Sequence, residues 1–198
     1  MKTMIRCSLG ILAATALALA GCGQNGEQQA IEAIGLLGGK IKTDADARVI
    51  EVDLSHSKVN DDVLAALVFL PHVRTLNLSN TKVTSDGIAP LAAMHDLQTL
   101  YLVSTDVNDA GLQHLRNLPS LRTLHLGRTQ ITDSGLSIFK GMSELRTLSL
   151  GNTAVTDAGL TNFRDLKNLS TLILKHTKVT PAGVQELRHS LPNTHIDR

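Results

Sequence analysis

The sequence has no tryptophan, one tyrosine (Tyr101) and three phenylalanines (Phe69, Phe139, Phe163) in 198 residues. A core without large aromatics must be filled by Leu, Val and Ile, which suits stacked thin layers better than one compact centre. An excess of one charge is also missing. With 19 Lys and Arg against 18 Asp and Glu, the formal net charge is +1 and no basic run occurs, which argues against a nucleic-acid partner. No G-x-S-x-G, H-E-x-x-H, P-loop or G-x-G-x-x-G motif is present, so nothing marks a nucleophile, a zinc helix or a phosphate cradle. The expectation is a protein that is not an enzyme and holds no cofactor.

What the sequence does have is a period. Gly87, Gly111, Gly135, Gly159 and Gly183 recur every 24 residues, each inside a stretch such as "TQITDSGL" (Thr129–Leu136). Apolar triplets follow the same count: Val49, Val52, Leu54; Val73, Leu76, Leu78; Leu97, Leu100, Leu102; and onward to Leu169, Leu172, Leu174. A fixed period of this length is the mark of a solenoid. Residues 49–192 hold six such units, and 193–198 open a seventh with Ile196 in the strand position.

Within one unit, Leu124 and Leu126 share a strand face, so His125 points to the other side. Thr132 reads as a helix N-cap, since its counterpart Thr180 is followed by Pro181, and proline is favoured at the first helical position. Asn60, Thr84, Asn108 and Thr156 fill the same column, and Asp61, Asp109, Asp133 and Asp157 follow at N1, where a carboxylate meets the positive helix end. Leu136, Phe139 and Met142 then form an apolar stripe behind the sheet. Glycine at N3 lets each helix start approach the neighbouring coil closely. Val63 stands there in the first unit, whose upstream neighbour is a cap.

The pattern L-x-x-L-x-L-x-x-T-x-[VI] resembles a leucine-rich repeat, and its T-D-x-G-L continuation resembles the ribonuclease-inhibitor-like subclass, with a helix in each repeat. More narrowly, the chain resembles bacterial leucine-rich repeat lipoproteins of planctomycete type. The resemblance implies an α/β fold, a right-handed horseshoe arc of six 24-residue repeats between terminal caps. It implies no activity.

The N-terminus stands apart from the repeats. Lys2 and Arg6 precede an apolar run from Leu9 to Ala20, too short to span a membrane as a mature helix. "LAGC" (Leu19–Cys22) resembles the bacterial lipoprotein processing box, which implies removal of 1–21 and lipidation of Cys22. Cys7 then leaves with the signal peptide and Cys22 has no free thiol, so no structural disulfide is expected. The mature charge becomes −1, with 17 basic residues against 18 acidic ones once Lys2 and Arg6 are gone. Residues 22–29 read as a lipidated tether, and 30–48 as an N-terminal cap of helix and hairpin. Residues 193–198 are the cap strand at the other end. An exported protein, lipid-anchored to the cell envelope, is the expected location.

Two chemistries are weighed and set aside. One Asp per repeat falls far short of the 6–8 oxygens a calcium ion takes. His56 and His176 share a column but lie five repeats apart, and His189 and His195 lie on different elements, so no metal site is expected. The outward strand positions remain. Thr75, Thr99, Thr123, Thr147 and Thr171 form one uniform column, suited to holding the sheet together. The other column varies: Asp53, Asn77, Tyr101, His125, Ser149, Ile173, Asp197. A ligand-binding patch is expected on this concave face at Tyr101 and His125, with Asn77, Val103 and Arg128 around it. The expected partner is a protein or a cell-wall glycan, met by a monomer held at the membrane through Cys22. A passive envelope spacer and a hydrolase regulator, the latter by fold analogy with ribonuclease inhibitor, are the alternatives.

Overall fold

In the computed structural model, residues 26–198 are described. Helix α1 (Gly26–Leu36) leads into an antiparallel hairpin of β1 (Lys40–Thr43) and β2 (Val49–Asp53). Six strands follow at the spacing of the repeat: β3 (Thr75–Asn77), β4 (Thr99–Tyr101), β5 (Thr123–His125), β6 (Thr147–Ser149), β7 (Thr171–Ile173) and β8 (His195–Asp197). The eight strands form one sheet in chain order, and every pairing after the first hairpin is parallel. This is an α/β solenoid arc.

Register follows from the side-chain columns. Leu76, Leu100, Leu124 and Leu148 lie opposite one another in successive strands and are fully buried. A slip of one residue would turn that leucine row to solvent. Where a buried polar group occurs it is used: Thr81, Thr105, Thr129 and Thr153 each donate the hydroxyl hydrogen to the carbonyl three residues back, at 2.6–2.8 Å. No described helix is long and apolar enough to cross a membrane.

The convex side is wound more tightly than the helix expected there. Only one α turn forms at α2 (Asp61–Leu64), α3 (Asp109–Leu112) and α4 (Asp157–Leu160), and each continues as a 3-10 helix. The nine residues Asp133–Gly141 are 3-10 throughout. The cause is the spacing of the stripe. Leu136, Phe139 and Met142 recur every third residue, which a 3-10 helix at three residues per turn keeps in line and an α-helix does not. In the last repeat the buried residues are Val184, Leu187 and Leu191. Their i, i+3, i+7 spacing is that of an α-helix, and α5 (Pro181–Ser190) is α-helical over ten residues. Behind the sheet, Phe139 and Phe163 meet edge to face, with centroids 5.6 Å apart.

The Asp column has a different role from the one its position in the helix implies. Asp109 Oδ1 accepts the backbone N–H of Thr132 at 2.8 Å and Oδ2 accepts its hydroxyl at 2.5 Å. The same pair of bonds joins Asp61 to Thr84, Asp133 to Thr156 and Asp157 to Thr180. Each carboxylate therefore clamps the next repeat, and its place in the first helical turn is secondary. Thr132, Thr156 and Thr180 still cap, because the hydroxyl donates its hydrogen upstream while its oxygen accepts a helix N–H at 3.2–3.3 Å. Asn60 makes no such capping bond, and Thr84 only donates to its clamp.

The N-terminal helix starts earlier than the apolar spacing from Ala30 implies. Gly26 to Gln29, assigned to the tether from sequence alone, are helical, with Glu27 in the first turn, where a carboxylate is favoured. Ala30 and Ile34 are its buried contacts. The hairpin turns on Asp44, whose Oδ1 accepts the N–H groups of Asp46 and Arg48, both at 3.0 Å. The signal sequence and Cys22 lie outside the described residues.

Candidate functional site on the concave face

Strand alternation places the variable column on the outer side of the sheet, half-exposed between buried leucines except at Ser149, which is buried. Parallel register then sets Asn77, Tyr101 and His125 side by side on β3, β4 and β5. The two rings use that proximity. Tyr101 and His125 stack with centroids 4.9 Å apart and planes 24° from parallel, within the range in which offset aromatic pairs attract. Burial holds the His125 pKa below its ordinary value, because a half-covered imidazole loses hydration that its charged form needs. The stacked pair is an aromatic platform with polar rims, and burial disfavours the charged form of His125.

The other three residues are placed differently. Asn77 turns its side-chain carbonyl to the backbone, accepting the Ser79 N–H at 3.1 Å, as Asp53 does for Ser55. Its amide donors make no hydrogen bond among the described residues. Val103 is half-buried just past β4, and its carbonyl accepts the Asn80 N–H at 2.8 Å. Arg128 is exposed, and no hydrogen bond or ion pair joins its side chain to the ring pair. Geometry thus unites Tyr101 and His125, sets Asn77 beside them, and leaves Val103 and Arg128 as flanks. Among the described residues no group of three or more His, Cys, Asp or Glu side chains is arranged to hold a metal ion.

One feature of the site's edge is not visible in residue types. His56, Asn80, Ser104, Arg128, Asn152 and His176 all have φ between 56° and 59°. This left-handed turn after each strand lets the N–H of Arg128 reach the Gly151 carbonyl of the next coil at 2.9 Å. Glycine is the usual signal for such a position, and none stands here. Arg128→Gly should remove a left-handed penalty of about 1 kcal/mol, offset in part by the entropy of glycine. A denaturant midpoint that rises or holds is expected, whereas a fall of that size would show that the arginine side chain anchors the turn.

A second measurement bears on the ring pair. Tyr101→Ala uncovers the imidazole, so the His125 pKa should climb back toward 6.5 in an NMR titration. In linkage terms, the folded pKa lies below the unfolded one. Stability from neutral His125 is therefore full above about 6.5 and declines as pH falls toward the folded value. An unchanged His125 titration in Tyr101→Ala would mean that the tyrosine ring does not cover it.

Comparison with known proteins agrees with this geometry. The leucine rich repeat family matches residues 119–179, and a second leucine rich repeat family matches residues 69–92. The chain carries leucine-rich repeats. Solved structures with the same fold include an internalin of Listeria monocytogenes (21% identity, TM-score 0.55) and internalin C2 of the same organism (24%, 0.58). A leucine-rich repeat protein of Leptospira interrogans is a third (21%, 0.60). Each likeness covers 75% of this chain, but only 47%, 70% and 37% of the respective relatives. The repeats here therefore correspond to part of a longer protein in each case. Among curated proteins, no sequence matches.

Proposed function

We propose that this protein is a non-enzymatic binding module, held at a bacterial cell envelope by lipid on Cys22, that presents its concave leucine-rich repeat face to a protein or envelope ligand. Leucine-rich repeat domains generally serve protein–protein interaction, and the repeats here supply a continuous parallel sheet for it. The observation that carries the reading is the Tyr101–His125 stack. A tyrosine already fixed by a stacked neighbour offers a large contact area with a hydrogen-bonding tip and little rotamer entropy left to lose. The sheet around it is on the order of 25–30 Å wide at the usual strand spacing, the size of a small protein's face.

The test is capture from native envelope extract with residues 24–198 immobilised, followed by the same capture with Tyr101→Ala and His125→Ala. Tyr101→Ala should leave melting nearly unchanged and weaken capture by more than about 1 kcal/mol. Arg128→Gly separates the flank from the fold, since it is expected to keep stability. A partner that binds the Tyr101→Ala and His125→Ala proteins as well as the parent would move the site off this face. No saturable partner at all would leave the spacer reading.

A further inference from the structure

We propose that the N-terminal end of the solenoid rests on the bilayer, with Phe69 and Val68 seated in the lipid interface. The proposal rests on the lipid anchor at Cys22. Among the described residues only three large apolar side chains are exposed: Leu36, Val68 at 41% and Phe69 at 45%. The other two phenylalanines are fully buried, so the exposure of Phe69 is not a consequence of a shallow core.

Its position supplies the occupant. Phe69 ends the 3-10 helix Ala65–Phe69, against which α1 packs. The Phe69 ring lies on the first residue of α1: a Cβ at Gly26 would stand 2.6–2.9 Å from three of its ring atoms. Gly26 is four residues from Cys22. Even fully extended, that link spans no more than about 14 Å, and the headgroup layer is itself roughly 5–7 Å thick on each side. An acylated Cys22 thus keeps Gly26, and the ring upon it, no more than about 9 Å beyond the headgroups and within reach of them. Aromatic and large apolar side chains are favoured at that depth. A protein partner would need to find this small patch from solution, whereas the bilayer is delivered to it by the anchor. Leu36 lies at the far end of α1, about 15 Å from Gly26 at the helical rise, and stands outside this patch. With the first coil on the membrane, β4 and β5 stand two and three strand spacings beyond β2, roughly 10–15 Å out, which keeps the Tyr101–His125 platform clear of the headgroups.

Because the chain has no tryptophan, a single introduced one reports its own depth. The mature lipidated protein, residues 22–198, would be placed in phosphatidylcholine vesicles containing brominated acyl chains, with Phe69→Trp, Val68→Trp and, at the opposite end, Arg188→Trp. Fluorescence at positions 68 and 69 should be quenched several-fold more than at 188, and a Cys22→Ser protein made without residues 1–21 should lose both flotation with the vesicles and the quenching. Equal, weak quenching at 69, 68 and 188 in protein that floats would overturn the membrane contact and leave the anchor standing. A Cys22→Ser protein lacking residues 1–21 that floats as the parent does would remove the anchor, and this inference with it.

Discussion

Gly135→Val should destabilise the protein by about 3 kcal/mol, while the same replacement at Gly141, six residues along the same 3-10 helix, should cost almost nothing. Nothing lies within 4 Å of a Cβ added at Gly141. At Gly135 the added atom falls on the Asp109 carboxylate and lies 3.1 Å from the Asp109 Cα. The carboxylate can swing aside, but only by releasing both bonds to Thr132. The Cα cannot, because α3 is fixed by its own strand and stripe. Valine is intrinsically the better helix former by less than about 1 kcal/mol, so overpacking and the broken clamp decide the sign. Chemical denaturation reads it directly. Similar midpoints for the two variants would mean that glycine at this column is merely tolerated.

The same collision recurs at Gly87, Gly159 and Gly183, each against the Asp of the coil before it, and at Gly111 against Ser85. Glycine and Asp are thus one device seen from two sides. The carboxylate reaches forward to clamp the next cap, and the next helix start must lack a Cβ to leave it room. Val63 escapes because its upstream neighbour is α1, which has no clamp. It packs against the core instead.

How much of this was legible before the structure depends on the range over which a residue acts. The strands and their register follow from a period-two face repeated every 24 residues, and each leucine states its own environment. The close approach at glycine is legible for the same reason. The clamp is not, because the helix dipole already accounts for an Asp at the first helical position, and local rules do not look one repeat ahead. A signal was present nonetheless: every Asp in the column is followed 23 residues later by Thr, and Ser85 alone is followed by Asn108. The tight helices were legible in the three-residue stripe, set against Val184, Leu187 and Leu191. The left-handed column was not, since Arg128 and Ser104 carry no turn signature. For the candidate site, columns and strand register place Tyr101 beside His125, but the ring stack and the inward turn of the Asn77 carbonyl depend on rotamers that no pattern encodes.

The clamp itself supplies the second large effect. Asp109→Ala removes two charge-assisted bonds, each worth about 1.5–3 kcal/mol when well formed. Partial exposure lets water replace some of that, so a loss of about 2–3 kcal/mol is expected. Asp109→Asn should cost less, since its carbonyl still accepts the Thr132 N–H. Thr132→Val breaks the clamp and the cap together, and a double-mutant cycle with Asp109→Ala should show strong coupling, because the two side chains share one pair of bonds. Acid gives an independent reading. Hydrogen bonds from the Thr180 hydroxyl and backbone hold the Asp157 carboxyl below its ordinary 3.8. Its contribution is therefore present above about pH 4 and lost as pH falls through the lower, folded value, and Asp157→Ala should flatten that acid limb. The constructive test is at the odd link, where Ser85 Oγ accepts only the Asn108 N–H, at 2.9 Å. Ser85→Asp with Asn108→Thr rebuilds the clamp used at the other four junctions and should raise the denaturant midpoint more than the two single changes together. A strictly additive result would show that the Asp–Thr pairing is a coincidence of columns, because a shared pair of hydrogen bonds requires both partners at once.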